Sequence, residues 1–258
     1  ALLAADGSEL PLRLDGESSA AGTERVLSWN EAAGSFTFVD VPEAPVVSLL
    51  RGYSAPVRLR MERSDEELAF LMAHDPDSFQ RWEAGQTFAR RALLALAENP
   101  GAALPEALLA AYGRILADEN LDGSLKALAL VLPGEEELAQ EVLPVDPAAL
   151  FDARETARKA IGTRYADEFR RIYAAGRDGA SYSKDKASID RRRLTNCALA
   201  YLSCAAPEEA SALAVEQLAA SDNMTDTEAA LSILCDLDTP ARETELAAFH
   251  ERHADDAL

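Results

Sequence analysis

The chain has 258 residues, of which 48% are hydrophobic, and this suffices to bury a sizeable core in one large domain or two smaller ones. Its 45 acidic residues outnumber its 25 basic ones, so the net charge is −20. That charge repels a nucleic-acid backbone and an anionic membrane surface, and we expect neither as a partner. Because no run of about 18 apolar residues and no signal-peptide pattern occurs, we expect a soluble protein. The odd count of three cysteines does not favour secretion, so the cytoplasm is the expected compartment.

The first 62 residues have the two-residue period of β-strands. Apolar and polar residues alternate at residues 10–14, 36–38 and 57–61, and residues 1–3 resemble the end of a strand whose first half is absent. Gly and Pro residues between these runs favour turns. We therefore predict a small antiparallel β-sandwich, Ig-like and incomplete, over residues 1–62.

From residue 63 onward the apolar residues follow the period of a helix. Ser64 and Glu67 have the spacing of a capping box, and Asp146-Pro147 offers a cap followed by proline at the first helical position. The predicted helices begin at Ser64, near 78, at 106, 124, 135, 147, 191, 207, 225 and 240, the one from 147 running to about 175. No strict repeat appears, so we predict an irregular α-helical array or superhelix of nine or ten helices over residues 63–258.

Two histidines near the end of the chain approach a zinc motif without matching it. A hydrolytic zinc site needs two histidines four apart on a helix, a glutamate beside the first, and a third ligand. His250, Glu251 and His253 are one residue short of that spacing, and no third ligand is evident. A structural or solvated role is favoured over an adventitious metal site, and His74 is expected to be a helix-terminal cation.

Three cysteines, Cys197, Cys204 and Cys235, are too few and too scattered for a disulfide framework. The first two lie seven apart in a helical segment, roughly 10 Å from each other, which is too far for a bridge. We expect them to be small apolar residues in a helix interface; a reactive or metal-binding role is the alternative.

Two polar motifs remain. The sequence has one cluster of basic residues, Lys184, Lys186 and residues 191–193. Because acidic residues interrupt this cluster, it favours a salt-bridged helix start over an anion site. Residues 223–226 favour the cap and first turn of a helix. No nucleophile elbow, phosphate loop or other catalytic signature occurs, so we predict no catalytic, cofactor-binding or metal-binding residue in this chain.

Several segments in order resemble bacterial aminopeptidase N, the alanyl type of the M1 family of zinc aminopeptidases. These segments are Ser54-Ala55-Pro56-Val57, Phe79-Gln80-Arg81-Trp82-Glu83-Ala84-Gly85-Gln86, Arg191-Arg192-Arg193-Leu194 with Asn196-Cys197, and Asn223-Met224-Thr225-Asp226 with Ala229-Ala230-Leu231. In that family a small β-sandwich lies between the catalytic domain and a helical domain that closes over the active site.

The resemblance implies that this chain is a non-catalytic scaffold, inactive by itself. No residue here matches the family's zinc motif or its Gly-Ala-Met-Glu-Asn substrate loop, so zinc, catalysis and peptide substrates are expected to belong to an upstream catalytic domain of the same polypeptide, and the chain is expected to be truncated at both ends. The alternative is a standalone helical scaffold or adaptor that binds a protein partner. A complete enzyme using His250 and His253 would need ligands that the sequence does not offer.

Overall fold

The computed structural model describes residues 1–53, 55, 57, 59–177, 179 and 181–255. The chain divides into two compact units, Ala1–Phe88 and Ala89–Leu258. The sequence-based division between residues 62 and 63 follows the change from strands to helices and stays a prediction.

The β part of the first unit consists of two small antiparallel sheets. Strand β1 (Leu2–Leu3) pairs with β4 (Val46–Val47), and β2 (Arg13–Leu14) pairs with β3 (Phe38–Val39). Their buried core contains Leu2, Ala4, Leu10 and Leu12, with Phe38, Val41 and Val47 packed against it. The predicted apolar face at residues 10–14 is therefore partly buried, as alternation requires.

The strand predicted at residues 57–61 was wrong for the residues that the structure describes there. Val57, Leu59 and Met61 are 55%, 46% and 40% exposed and lie in no strand. Alternation marks a segment able to pair, but pairing also needs a neighbouring strand, and none of the four described strands pairs with this segment. Residues 54, 56 and 58 lie outside the described residues.

A buried ion pair connects the β part to the first helix. Arg51, in a short 3-10 turn (Arg51–Tyr53), donates from Nη2 to Asp75 Oδ1 at 3.0 Å and from Nη1 to Glu9. The side chain of Asp75 is fully buried and that of Arg51 is 7% exposed. Removing Arg51 would leave the buried Asp75 carboxylate without its counter-charge, so this contact constrains the first unit strongly.

Eleven α-helices follow within the described residues. They are α1 (Asp65–His74), α2 (Ser78–Glu98), α3 (Glu106–Ala117), α4 (Gly123–Leu130), α5 (Glu135–Ala139), α6 (Pro147–Arg164), α7 (Ala166–Gly176), α8 (Lys186–Ala205), α9 (Pro207–Ala220), α10 (Met224–Asp236) and α11 (Pro240–His253). This confirms the predicted fold class, a small antiparallel β part followed by an irregular helical array. None of the described helices is long and apolar enough to cross a lipid bilayer.

The predicted helix caps at Ser64 and Asp146 are confirmed. The Ser64 hydroxyl accepts from the backbone N–H of Glu67, and the Glu67 carboxylate accepts from that of Ser64. Asp146 accepts from the N–H groups of Ala148 and Ala149 at the start of α6. These local bonds satisfy backbone donors that have no partner inside the helix, and so they can be recognised from sequence alone.

The single helix predicted from residue 147 to about 175 is two helices. Tyr165, with φ −116° and ψ 25°, leaves the helical conformation and separates α6 from α7. Its hydroxyl donates to the carbonyl of Leu109 in α3 at 2.7 Å. The break accompanies this long-range bond, so the residues next to Tyr165 in the sequence do not predict it.

One predicted helix start was also wrong. Helix α8 begins at Lys186 rather than Arg191, because Asp185 accepts from the N–H of Ser188 and caps the helix five residues earlier. The prediction that residues 223–226 form the cap and first turn of a helix is confirmed, because α10 begins at Met224 and Asn223 Oδ1 accepts from the N–H of Asp226 at 3.0 Å.

Helix α8 is the central element of the second unit. Helices α4, α6, α7, α9 and α10 all pack against it. Among its contacts, the ring of Tyr201 stacks on Phe169 of α7 with centroids 4.7 Å apart, and its hydroxyl donates to the carbonyl of Leu130 in α4. One aromatic side chain thus joins three helices through apolar contact and a buried hydrogen bond.

Two glycines permit this close packing. A Cβ atom at Gly162 of α6 would lie 2.6 Å from the carbonyl oxygen of Tyr201, and one at Gly123 of α4 would lie 2.5 Å from that of Asp190. Both obstacles are backbone atoms of α8, which cannot rotate away. Helices α4 and α6 therefore reach their observed distance from α8 only without a side chain at these positions.

We expect Gly162→Ala to lower the free energy of unfolding by about 1–3 kcal/mol, because the added methyl group overpacks the α6–α8 contact. Chemical denaturation followed by far-UV circular dichroism measures the change. Gly101→Ala is the matched control, since a Cβ there meets only Asn99 Oδ1 at an ordinary 3.7 Å. Equal stability of the two variants would contradict the close-packing argument.

Candidate functional site

The histidines do not form a metal site in the described part of the chain. On α11, His250 is exposed and the ring of His253 contacts that of Phe249 at a centroid distance of 4.6 Å. No group of three or more His, Cys, Asp or Glu residues able to hold a metal ion occurs among the described residues. His74 ends α1, where its ring contacts Phe70, in agreement with a helix-terminal position.

The cysteines are free thiols. Burial raises the pKa of Cys197 to about 12 and also raises the pKa of Cys204, although Arg158 acts in the opposite direction on both. The thiolate is the reactive form of cysteine, so both groups are unreactive near neutral pH. Their position in α8 agrees with the expected role as small interface residues.

The structure brings the two polar motifs of the sequence together in one cleft of about 260 Å³. Its walls come from the loop between α7 and α8, the start of α8, and the turn that leads into α10. We call it the arginine cleft, and its lining residues are Gly176, Arg177, Gly179, Ser181, Tyr182, Arg191, Arg192, Ala220, Ser221, Asp222, Asn223 and Asp226.

One wall of the arginine cleft is held by Arg192. Its Nη1 donates to the carbonyl of Ser183 at 2.8 Å, and its guanidinium carbon lies 4.7 Å from the centre of the Tyr182 ring. A cation over an aromatic face is attracted by the ring's negative face, so the two contacts fix the guanidinium against the loop.

The start of α8 is salt-bridged, as the sequence indicated. Lys186 Nζ lies 2.6 Å from Asp122 and 2.5 Å from Asp190. These contacts raise the pKa of Lys186, chiefly through the hydrogen bond to Asp122. The ion-pair interpretation of the basic cluster is therefore confirmed for Lys186. Arg191 and Arg192 also line the cleft.

Another wall is formed by Asp222 and Asn223. Asp222 Oδ2 accepts from the backbone N–H of Tyr182 at 2.9 Å, and its Oδ1 accepts from Asn223 Nδ2 at 3.2 Å. The pKa of Asp222 is lowered, first by the Tyr182 hydrogen bond, then by Asn223, with a smaller contribution from the charge of Arg192. Asp222 thus holds the loop to the start of α10.

Behind this wall lies a buried polar network. Asp226, 9% exposed, accepts from Asn196 Nδ2 and from Asn223 Nδ2, each at 2.9 Å. The fully buried Gln217 donates to Asn196 Oδ1 at 2.8 Å and to the Asp226 carbonyl at 3.0 Å. Both carboxylate oxygens of Asp226 are therefore engaged, and helices α8, α9 and α10 are linked by hydrogen bonds.

The chemistry of the arginine cleft is that of recognition. Its lining combines guanidinium groups, amide and hydroxyl groups, and two carboxylates whose oxygens accept hydrogen bonds from the protein. Sequence reasoning singled out residues 191–193 and 223–226 separately and missed that they share a cleft. Their separation along the chain gives no periodic signal, so only the packing of α8 against α10 reveals the meeting.

We expect Asp226→Ala to lower the free energy of unfolding by about 1–3 kcal/mol, since it leaves the Asn196 amide without its acceptor and the Asn223 amide with Asp222 alone. Thermal and denaturant unfolding measure this change. Asp255→Ala removes the same charge at an exposed position and should have little effect. A comparable loss in both variants would mean that net charge, rather than the network, controls stability.

The bond between Asp222 and Tyr182 should depend on pH. In the folded protein the pKa of Asp222 lies below its ordinary value of 3.8. The carboxylate is therefore charged and accepts the bond at pH 3.8 and above, and the bond is lost as the pH falls through the folded-state pKa. The amide proton shift of Tyr182, followed by NMR, should titrate there. In Asp222→Asn the same signal should stay constant; an unchanged titration in that variant would assign the effect to another group.

Comparisons with known proteins agree with this architecture. A model of a domain of unknown function with ARM repeats (DUF3458_C) matches residues 65–258, and a model of a domain of unknown function with an Ig-like fold (DUF3458) matches residues 1–62. The predicted Ig-like character of the β part thus has a counterpart in a family model.

Similar proteins include two named aminopeptidase N. The protein from Caulobacter vibrioides is 36% identical over 250 residues, and that from Escherichia coli K12 is 31% identical over 251 residues. Each match covers 96% of this chain but 28% of the relative's length. The chain therefore spans little more than a quarter of these proteins.

Among solved structures, the crystal structure of Legionella pneumophila aminopeptidase A in complex with aspartic acid has the same fold, with a TM-score of 0.76 at 22% identity. The match covers 99% of this chain and 30% of that one. Since the ARM-repeat family model covers α1 through α11, and thus most of the residues, this protein belongs to that family of helical domains.

Proposed function

We propose that this chain is the non-catalytic scaffold part of a larger, cytoplasmic, zinc-dependent aminopeptidase that removes amino-terminal residues from peptides. The observation that carries the proposal is the pattern of coverage. Proteins named aminopeptidase N match 96% of this chain, whereas the chain spans 28% of their length. A segment of that size corresponds to a part of the enzyme rather than to the whole.

The remainder of the polypeptide would then supply the chemistry. A catalytic zinc ion needs three protein ligands and an open position, and it activates a bound water molecule. The described residues offer no group of three candidate ligands, which supports placing the zinc ion and the bound peptide in an upstream catalytic domain. The partner of this chain is accordingly that upstream domain of the same polypeptide.

The scaffold would consist of a β-sandwich over residues 1–62 and a helical domain over residues 63–258, the latter enclosing the active-site cavity. The two family models, which match residues 1–62 and 65–258, support this division. Close packing around α8 gives the helical part the rigidity that such an enclosure needs.

The proposal predicts that the 258-residue chain alone does not hydrolyse a chromogenic alanyl amide, with or without added zinc. The longer polypeptide that contains the chain should hydrolyse it, and a chelator should abolish the activity until zinc is restored. Initial rates on equal molar amounts of both proteins provide the measurement. Zinc-dependent turnover that follows the short chain through purification would contradict the scaffold assignment.

The scaffold role is tested within the longer polypeptide. Gly162→Ala touches no proposed catalytic group, yet it should reduce hydrolysis by loosening the α6–α8 contact, while Gly101→Ala should leave the rate unchanged. If the longer polypeptide has no aminopeptidase activity, the remaining interpretation is a helical adaptor that binds a protein partner.

A further inference from the structure

We propose that the arginine cleft binds a small oxyanion group, a carboxylate or a phosphate. This inference goes beyond the scaffold function and does not depend on it, because it concerns residues of this chain alone. It combines the cleft's arginine lining, the way the protein holds Arg192, and the cleft's size.

The charge distribution supports an anionic ligand. In a chain with a net charge of −20, three of the described residues that line the cleft are arginines: Arg177, Arg191 and Arg192. A guanidinium carries five N–H donors in a rigid fork that matches the oxygens of a carboxylate or phosphate. Among the described residues, Arg192 gives one hydrogen bond, to Ser183, so further donors are available to a ligand.

The cleft is organised before any ligand arrives. Arg192 is stacked on Tyr182, and the loop that carries Tyr182 is tied to Asp222 by a 2.9 Å hydrogen bond. Fixing a long side chain in advance lowers the entropy that binding must otherwise remove.

Asp222 and Asp226 also line the cleft, but they repel a bound anion less than two free carboxylates would, because both are hydrogen-bonded to the protein. Asp222 accepts from Tyr182 and Asn223, and Asp226 accepts from Asn196 and Asn223. Their oxygens are thus directed at protein donors. Asp222 still carries a charge beside Arg192, so its neutralisation should strengthen the binding of an anion.

The volume limits what the cleft can hold. Pockets for drug-sized ligands measure about 300–1,000 Å³, whereas this cleft measures about 260 Å³. A volume just below that range suits a small anion, such as phosphate or a short dicarboxylate. Carboxylates and phosphates share the required chemistry, and the two arms of the experiment distinguish them.

Isothermal titration calorimetry of the 258-residue chain with sodium phosphate and, separately, with sodium succinate tests the proposal, with sodium chloride at matched ionic strength as the blank. We expect saturable binding of at least one probe, and the tighter one identifies the preferred group. Arg192→Ala should weaken that binding about tenfold or more, the effect of losing a charge-assisted hydrogen bond. Arg193→Ala removes the same charge from the exposed neighbouring position outside the lining and should bind as the parent does.

Asp222→Asn provides an independent test that does not remove an arginine. The asparagine oxygen can still accept from Tyr182, so the loop contact persists while the negative charge disappears, and the probe should bind more tightly. The amide NMR signals of Tyr182 and Asn223 should shift on addition of the probe.

Absence of saturable binding by the parent chain would overturn the proposal, as would equal weakening in Arg192→Ala and Arg193→Ala. If Arg192→Ala does not fold by circular dichroism, Asp222→Asn decides: unchanged or weaker binding rejects the site. The binding experiments measure no peptide hydrolysis, so a negative binding result does not affect the scaffold proposal. A negative result in the hydrolysis assays likewise does not affect the proposed anion site.

Discussion

The close approach of helices to α8 is the constraint on which the second unit depends. Gly123 and Gly162 allow α4 and α6 to lie directly against its backbone, and Tyr201 adds a ring stack on α7 and a buried hydrogen bond to α4. Dispersion contacts weaken steeply with distance, so a fraction of an ångström at these points affects the whole interface. The arginine cleft depends on this arrangement, because one of its walls is the second turn of α8, with Arg191 and Arg192, and another is the turn leading into α10, which packs on α8.

The sequence predicted what depends on neighbours along the chain. Capping by Ser64 and Asp146 was predicted correctly, since each cap rests on hydrogen bonds within a few residues. The break at Tyr165 was not foreseen, because it accompanies a hydrogen bond to a residue 56 positions away. The early start of α8 was missed for another reason: the polar stretch before Arg191 has little apolar periodicity, and the Asp185 cap had to be recognised without it.

The candidate site could be predicted only in parts. A basic cluster and an Asn-Met-Thr-Asp motif were both visible, and each had a correct structural explanation, as a salt-bridged helix start and as a helix cap. Their second property, that Arg192 and Asn223 face the same cleft, follows from helix packing alone. Likewise, the spacing of Asn196, Gln217 and Asp226 does not predict that they share a hydrogen-bond network, because they lie on three different helices.

Helix α11 differs from the helices before it, because none of its residues between Pro240 and His253 is buried. It contacts α9 and α10 without inserting a side chain into the core. Little apolar surface therefore resists its detachment, so its amide protons should exchange through a local opening of low free energy while α8 exchanges only in near-global unfolding. A protease that cleaves through such openings would cut this helix and leave the hydrogen-bonded network of α8, α9 and α10 intact. The cleft should therefore remain folded after the last helix has been removed.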